Sequence, residues 1–211
     1  MLRILLAASA LVLLGQAAHA CEGQTGNVIF EDKFTDDSGG WGFGDNLVLK
    51  EQGAEATIAP GDAGRTFLQG TFNARLADYC LEVSFSPDAA AQNVSSDLVF
   101  LANNYDTLWD FAIYADGRAN LSRKINGKWN TVFETKTQGT VKSGPTDVNS
   151  VRVVVKEGMI TTIVNGKTVK ALRAQVPSGD MLFGFATFRD KASNKASPPM
   201  SIHSYEVTEV Q

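Results

Sequence analysis

Residues 116–129 read DGRANLSRKINGKW, with an Asp-Gly at one end, an Asn-Gly near the other and eight residues between them. Both dipeptides favour the positive backbone φ that tight hairpin turns demand, and eight residues is an ordinary strand length. The stretch therefore predicts the centre of an antiparallel meander, with strands at 108–115, 118–125 and 128–135. Asn165-Gly166 repeats the signal and Glu157-Gly158 is a weaker fourth, which predicts a second meander over 150–156, 159–164 and 167–172.

Outward from these hairpins the pattern continues. Short alternating runs punctuated by glycine predict further strands at 28–34, 47–51, 66–72, 79–86, 97–102, 181–188 and 201–210. No window after residue 20 holds a helical period over three turns, no linker divides the chain and no internal repeat is present. The expectation is one all-β domain over 21–211. Two loops stand out: DDSGGWGFGDN at 36–46 and RDKASNKASPPM at 189–200, the latter with the composition of a mobile surface loop.

Register follows from counting outward from each turn. Two-residue loops would set Ala115 opposite Arg118, Ile113 opposite Asn120, Phe111 opposite Ser122 and Trp109 opposite Lys124. Across the next turn Ile125 would face Lys128, Lys124 would face Trp129, Ser122 Thr131 and Asn120 Phe133. One surface then carries Trp109, Phe111, Ile113, Trp129 and Phe133 interleaved with Asn120, Ser122, Lys124 and Thr131. The other carries Ala112, Leu121, Val132, Ile125 and Tyr114 with a cross-strand Asp110 and Arg123 pair. The mixed face reads either as core or as a ligand surface. The second meander is cleaner: Val151, Val153, Val155, Ile160, Val164 and Val169 share one face, and Tyr79, Leu81, Val83 and Phe85 form a similar stripe. Such stripes need a second sheet to cover them.

The first twenty residues have one early positive charge, Arg3, an apolar run from Ile4 to Leu14, and the ending Ala18-His19-Ala20. This predicts an export signal cleaved after Ala20 and a periplasmic or secreted protein. The apolar run is short for a bilayer span. Losing Arg3 takes the formal net charge from −4 to −5, which argues against a nucleic-acid partner. Cys21 and Cys80 are the only cysteines; in an oxidising compartment an even count predicts a disulfide. A lipid on Cys21 is the competing reading, and Ala18 stands where a lipidation box usually has a large aliphatic residue.

The runs WDFAIYADGRANLSRKINGKWNTVFE, NSVRVVVKEGMITTIVNGKTV and VPSGDMLFGFAT, with FEDKF and YCLEVSF earlier, resemble bacterial secreted domains of the concanavalin A-like lectin/glucanase superfamily, nearest to its laminin G-like and 3-keto-disaccharide hydrolase-like modules. The resemblance implies a jelly-roll sandwich of two antiparallel sheets, one concave, and carbohydrate as the commonest ligand class.

Chemistry is harder to find. The paired carboxylates of glycoside hydrolysis are supplied in the superfamily's glucanases by an E-x-D-x-x-E strand, and this chain has no such run; LEVSFSPD offers only Glu82 and, beyond a proline, Asp88. A serine triad would need His203, the one histidine after residue 20, and no G-x-S-x-G accompanies it. Too few His and Cys remain for a transition-metal site, and the oxygens of DLVFLANNYDTLWD, 97–110, show no spacing that singles out a calcium loop. SGGWGFG lacks the Lys-Ser/Thr of a phosphate loop; its Trp41 reads as a loop anchor or as a stacking platform.

The expectation is a non-catalytic exported module without cofactor or metal, binding a saccharide or glycoconjugate through Trp109, Asn120, Ser122, Lys124, Trp129, Thr131 and Trp41. A hydrolase or lyase acting on a modified sugar, and an envelope interaction module, are the alternatives. Oligomeric state is not legible.

Overall fold

A computed structural model describes residues 21–73 and 76–210. The expected export signal, residues 1–20, lies outside the described residues. The strands are β1 (Val28–Asp32), β2 (Leu47–Lys50), β3 (Gly53–Ala56), β4 (Gly64–Asn73), β5 (Ala77–Phe85), β6 (Ser95–Asn104), β7 (Thr107–Tyr114), β8 (Arg118–Ile125), β9 (Lys128–Lys136), β10 (Asn149–Lys156), β11 (Met159–Val164), β12 (Lys167–Arg173), β13 (Asp180–Phe188) and β14 (Met200–Glu209). All pairing is antiparallel. One sheet runs β12-β11-β10-β5-β14-β3-β2, with β1 also on β14, and the other runs β4-β13-β6-β7-β8-β9. Only β3 has no counterpart among the expected strands: its sequence, GAEA, lacks the β-branched and aromatic residues that mark a strand.

The alternation predicted for the eight-stranded sheet holds. Tyr79, Leu81, Val83 and Phe85 on β5, and Val151, Val153, Val155, Ile160 and Val164 on β10 and β11, are buried against the second sheet. That sheet answers with Leu98, Phe100, Phe111, Ile113, Leu121, Phe183 and Phe185. Each such side chain contributes roughly 1.5–3 kcal/mol on full burial.

The four hairpin signals divide by turn type. At Asn126-Gly127, Asn165-Gly166 and Glu157-Gly158 both residues have positive φ, and the loops are two residues long, with Ile125 opposite Lys128, Val164 opposite Lys167 and Lys156 opposite Met159. At Asp116-Gly117 only the glycine has positive φ, 86°. Asp116 Oδ1 there accepts the amide of Arg118 (3.1 Å), and the Gly117 amide donates to Tyr114 O (2.9 Å). This is a three-residue loop ending in a glycine bulge.

The extra loop residue corrects the expected register. Trp109 faces Arg123, Asp110 faces Ser122, Phe111 faces Leu121 and Ala112 faces Asn120. A one-residue slip sends a whole strand's side chains to the opposite surface. Asn120, Ser122 and Lys124 therefore leave the company of Trp109 and Phe111 and join Asp110, Ala112 and Tyr114. The expected Asp110 and Arg123 pair does not form; the Arg123 guanidinium lies 5.2 Å from the centre of the Trp109 ring instead. A second irregularity, between Leu121 and Ser122 on β8, sets Phe133 opposite Leu121 and returns it to the core side, while Trp129 stays opposite Lys124.

The N-terminal segment closes over the outer face of the eight-stranded sheet. Cys21 is disulfide-bonded to Cys80 of β5. Arg152 of β10 donates to Asp78 Oδ1 (2.7 Å) and to the carbonyls of Gly23 (2.8 Å) and Glu22 (3.2 Å), and Gln24 donates to the Asp78 carbonyl (2.8 Å). A disulfide suits an extracellular or periplasmic protein, and among the described residues no helix is long and apolar enough to cross a membrane.

Candidate functional site

Among the described residues no disulfide-tied segment closes over the outer face of the six-stranded sheet, which is covered by its own side chains. Trp129 on β9 and Phe188 on β13 are four strand steps apart, about 19 Å along a flat sheet at the usual strand spacing. Their rings nevertheless meet edge to face with centroids 5.5 Å apart. The sheet must curl, so this face is concave, and the two rings meet over the strands between them.

Beneath lies a pocket of about 280 Å³ lined by residues of β6, β7 and β8 and by Ala63, Trp129, Phe188 and Arg189. Asp97 of β6 and Asp110 of β7 line it, only 2% and 3% exposed. They are diagonal neighbours, since Asp97 is opposite Ala112 and Val99 opposite Asp110. Their side chains share a hydrogen bond, while Asp97 Oδ1 and Asp110 Oδ2 have no partner among the described residues.

Two carboxyls in contact cannot both ionise easily, least of all away from water. Burial pushes the Asp97 carboxyl up to about 7, against the opposing hydrogen bonds from Ser95 and Asp110. Burial, then the charge of Asp97 and the bond to it, hold Asp110 well above the usual carboxylate range. Both members of the pair are thus raised, and the pair as a unit holds protons more tightly than ordinary carboxyls do. Tyr114, on the same face of β7, is raised chiefly by burial and then by the charges of both acids.

The remaining polar groups are tied down. Ser122 Oγ donates to Asn120 Oδ1 (2.7 Å). Lys124 donates to the Tyr105 carbonyl (2.9 Å) and lies 3.5 Å from Asp106. Arg189 is buried and donates to carbonyls of Ala59, Asp62, Ser193 and Lys195. With the Ser197 hydroxyl accepting the Ile58 amide (2.8 Å), these bonds fasten the 189–200 segment that its composition marks as mobile.

Of the residues expected to bind ligand, Asn120, Ser122 and Trp129 line the pocket, and Lys124 and Thr131 share its face. Trp129 is 43% exposed. Trp109 and Trp41 are corrections to the expected set: at 5% and 4% exposure both lie between the sheets. Trp41 is the loop anchor, its indole donating to Asp32 Oδ2 (2.7 Å) amid the rings of Phe30, Phe34 and Phe185. Asp97, Asp110, Tyr114, Phe188 and Arg189 were not among the expected site residues. A parity count from the turn at Tyr105 and Asp106 would have found the two acids, because β6 and β7 slip by two residues between Phe100 and Asn104, and a slip of two keeps every side chain on its face.

Among the described residues neither a serine triad nor a cluster of metal ligands is assembled. Ser84 and His203 are hydrogen-bonded (Oγ to Nε2, 2.9 Å) on the opposite sheet. Glu82, whose charge acts on His203, takes a hydrogen bond from Ser204 instead (2.8 Å). Among the described residues no three His, Cys, Asp or Glu side chains converge as metal ligands would.

No protein-family model matches the chain, and no curated protein matches it. Solved structures do. A carbohydrate-binding module from Bacillus subtilis superposes with TM-score 0.59 at 10% identity, over 77% of this chain and 91% of the module. The Bacillus licheniformis β-glucanase gives 0.57 at 12% identity, over 88% and 100%. The laminarinase catalytic domain of Thermotoga maritima gives 0.63 at 10%, over 89% and 100%. The protein has the concanavalin A-like jelly-roll fold that these share.

Proposed function

We propose that this protein is an exported, non-catalytic binder of a saccharide or glycoconjugate, held in the concave pocket of the six-stranded sheet. The observation that carries the reading is the juxtaposition of the exposed Trp129 ring with the Asn120 amide, the Ser122 hydroxyl and two under-bonded carboxyl oxygens. A ring beside a wall of donors and acceptors matches a sugar, whose C–H faces are apolar and whose edges are hydroxyls. The fold shared with a carbohydrate-binding module and with glucanases supports the ligand class.

The placement of the acids argues for binding over hydrolysis. The raised pair could serve as a proton donor, but its two carboxyls touch each other. Glycosidases set their two carboxyls about 5–5.5 Å apart when retaining and about 6.5–9.5 Å apart when inverting, to straddle the bond.

Calorimetric titration with a panel of neutral and charged oligosaccharides tests this. At least one should bind without turnover, and Trp129→Ala should weaken it at least ten-fold. An unchanged affinity in that variant, or release of reducing sugar, contradicts the reading.

A further inference from the structure

We propose that the pocket selects a ligand carrying a protonated primary amine, an amino sugar within the class just proposed, with its ammonium against Asp97 and Asp110 and among the rings of Tyr114, Trp129 and Phe188. The inference rests on the binding reading and deepens it.

Among the described residues neither acid of the pair forms an ion pair, and the cationic side chains nearby direct their hydrogen bonds elsewhere. Arg118 is paired with Asp116 (2.7 Å) and lies over one face of Tyr114. Lys124 is held by Asp106 and the Tyr105 carbonyl. Arg189 donates five hydrogen bonds to main-chain carbonyls. The nearby acids add no cation: Asp190 takes a hydrogen bond from Asn93, and Glu134 stands exposed opposite Asn120. The acid pair itself is left with one shared proton and two oxygens that no donor among the described residues reaches, in a nearly dry site.

An ammonium meets each deficit. It offers three donors and no acceptor, which suits a pair of carboxyls short of donors, and aromatic walls attract it through their ring faces. Other sugar substituents fit worse. A uronate would meet two acids, and the guanidinium that could have clamped it is engaged with carbonyls. A hydroxyl or an acetylated amine brings no charge to offset the pair.

Binding has a proton balance. The ligand's R–NH3+ enters, the proton shared by Asp97 and Asp110 leaves to solvent, and the net charge of the complex is that of the free protein. Tyr114 does not titrate in this range because burial raises its phenol. Affinity should therefore rise with pH for as long as the free pair keeps its proton and the amine keeps its own.

The test is calorimetry on the purified protein with glucosamine oligomers, their N-acetylated counterparts, glucose oligomers and methylamine, in two buffers of different ionisation enthalpy. The amine oligomers should bind at least ten-fold tighter than the other sugars and release close to one proton. Asp97→Asn with Asp110→Asn should abolish both the preference and the release. Equal or tighter binding of acetylated or neutral sugars overturns this inference and leaves the saccharide reading standing, as does amine-sugar binding with no proton release. Binding of methylamine alone keeps the ammonium site and overturns the saccharide reading, and binding of nothing overturns both.

Discussion

The two outer faces of the sandwich both bury carboxyls, and they treat them differently. On the eight-stranded sheet Asp78 meets Arg152, whose guanidinium also gathers the carbonyls of Glu22 and Gly23 beside the Cys21–Cys80 disulfide. Burial raises the Asp78 carboxyl, and the arginine's hydrogen bonds and charge oppose that rise. On the six-stranded sheet Asp97 and Asp110 meet each other, with Ser95 beside Asp97 and no ion-pair partner among the described residues, under a bridge of two aromatic rings. A buried charge with its partner is a structural device, whereas a buried pair of like groups with unpartnered oxygens stores free energy that a ligand can recover. The comparison separates the face that holds the protein together from the face to which we assign recognition.

Perturbing the covered face should cost the most stability. Cys80→Ala opens a link between residues 59 apart in sequence, and the chain-entropy relation assigns that link about 4 kcal/mol; urea unfolding would measure it, with saccharide affinity of the folded protein unchanged. Arg152→Met leaves Asp78 buried without its counter-charge, for a loss of about 3 kcal/mol by the same assay. If either change abolished binding while the protein stayed folded, the division between the faces would fail.

The open face predicts an unusual pH response. Asp97 and Asp110 have raised folded-state pKa values, so their contribution is fully present below the unfolded aspartate value of about 4. Between there and about 7 the unfolded chain has released protons that the native state retains. Stability from this pair must fall as pH rises, by up to about 1.4 kcal/mol per pH unit for each retained proton. The melting temperature of the wild type should drop across that window relative to Asp110→Asn; parallel curves would show that the pair does not share a proton.

The smallest stability effect belongs to the residue with the largest functional one. Trp129→Ala removes a ring that is almost half exposed, for less than about 1 kcal/mol, yet it should cost at least ten-fold in affinity. A large destabilisation there would make Trp129 a structural roof.

Much of the fold was legible because the dipeptides at 126–127 and 165–166 dictate two-residue turns, and the valine stripes of β10 and β11 admit one buried face. The candidate site was only partly legible, for a local reason. Asp116 caps the Arg118 amide with its own carboxylate and so stays out of the positive-φ region; the hairpin gains a residue, and β8 turns over. That rotation is what carries Asn120 and Ser122 to the pocket and leaves Trp109 in the core. The curl that brings Trp129 to Phe188 is a property of six strands together, which no stretch of one strand announces.

The most direct measurement of the central claim uses the three tryptophans, of which only Trp129 is accessible. Acrylamide quenching of the intrinsic fluorescence should come almost wholly from Trp129, and a bound saccharide should suppress it while Trp41 and Trp109 stay dark to the quencher throughout. Undiminished quenching at a saccharide concentration that saturates the protein would place the ligand elsewhere and contradict the account.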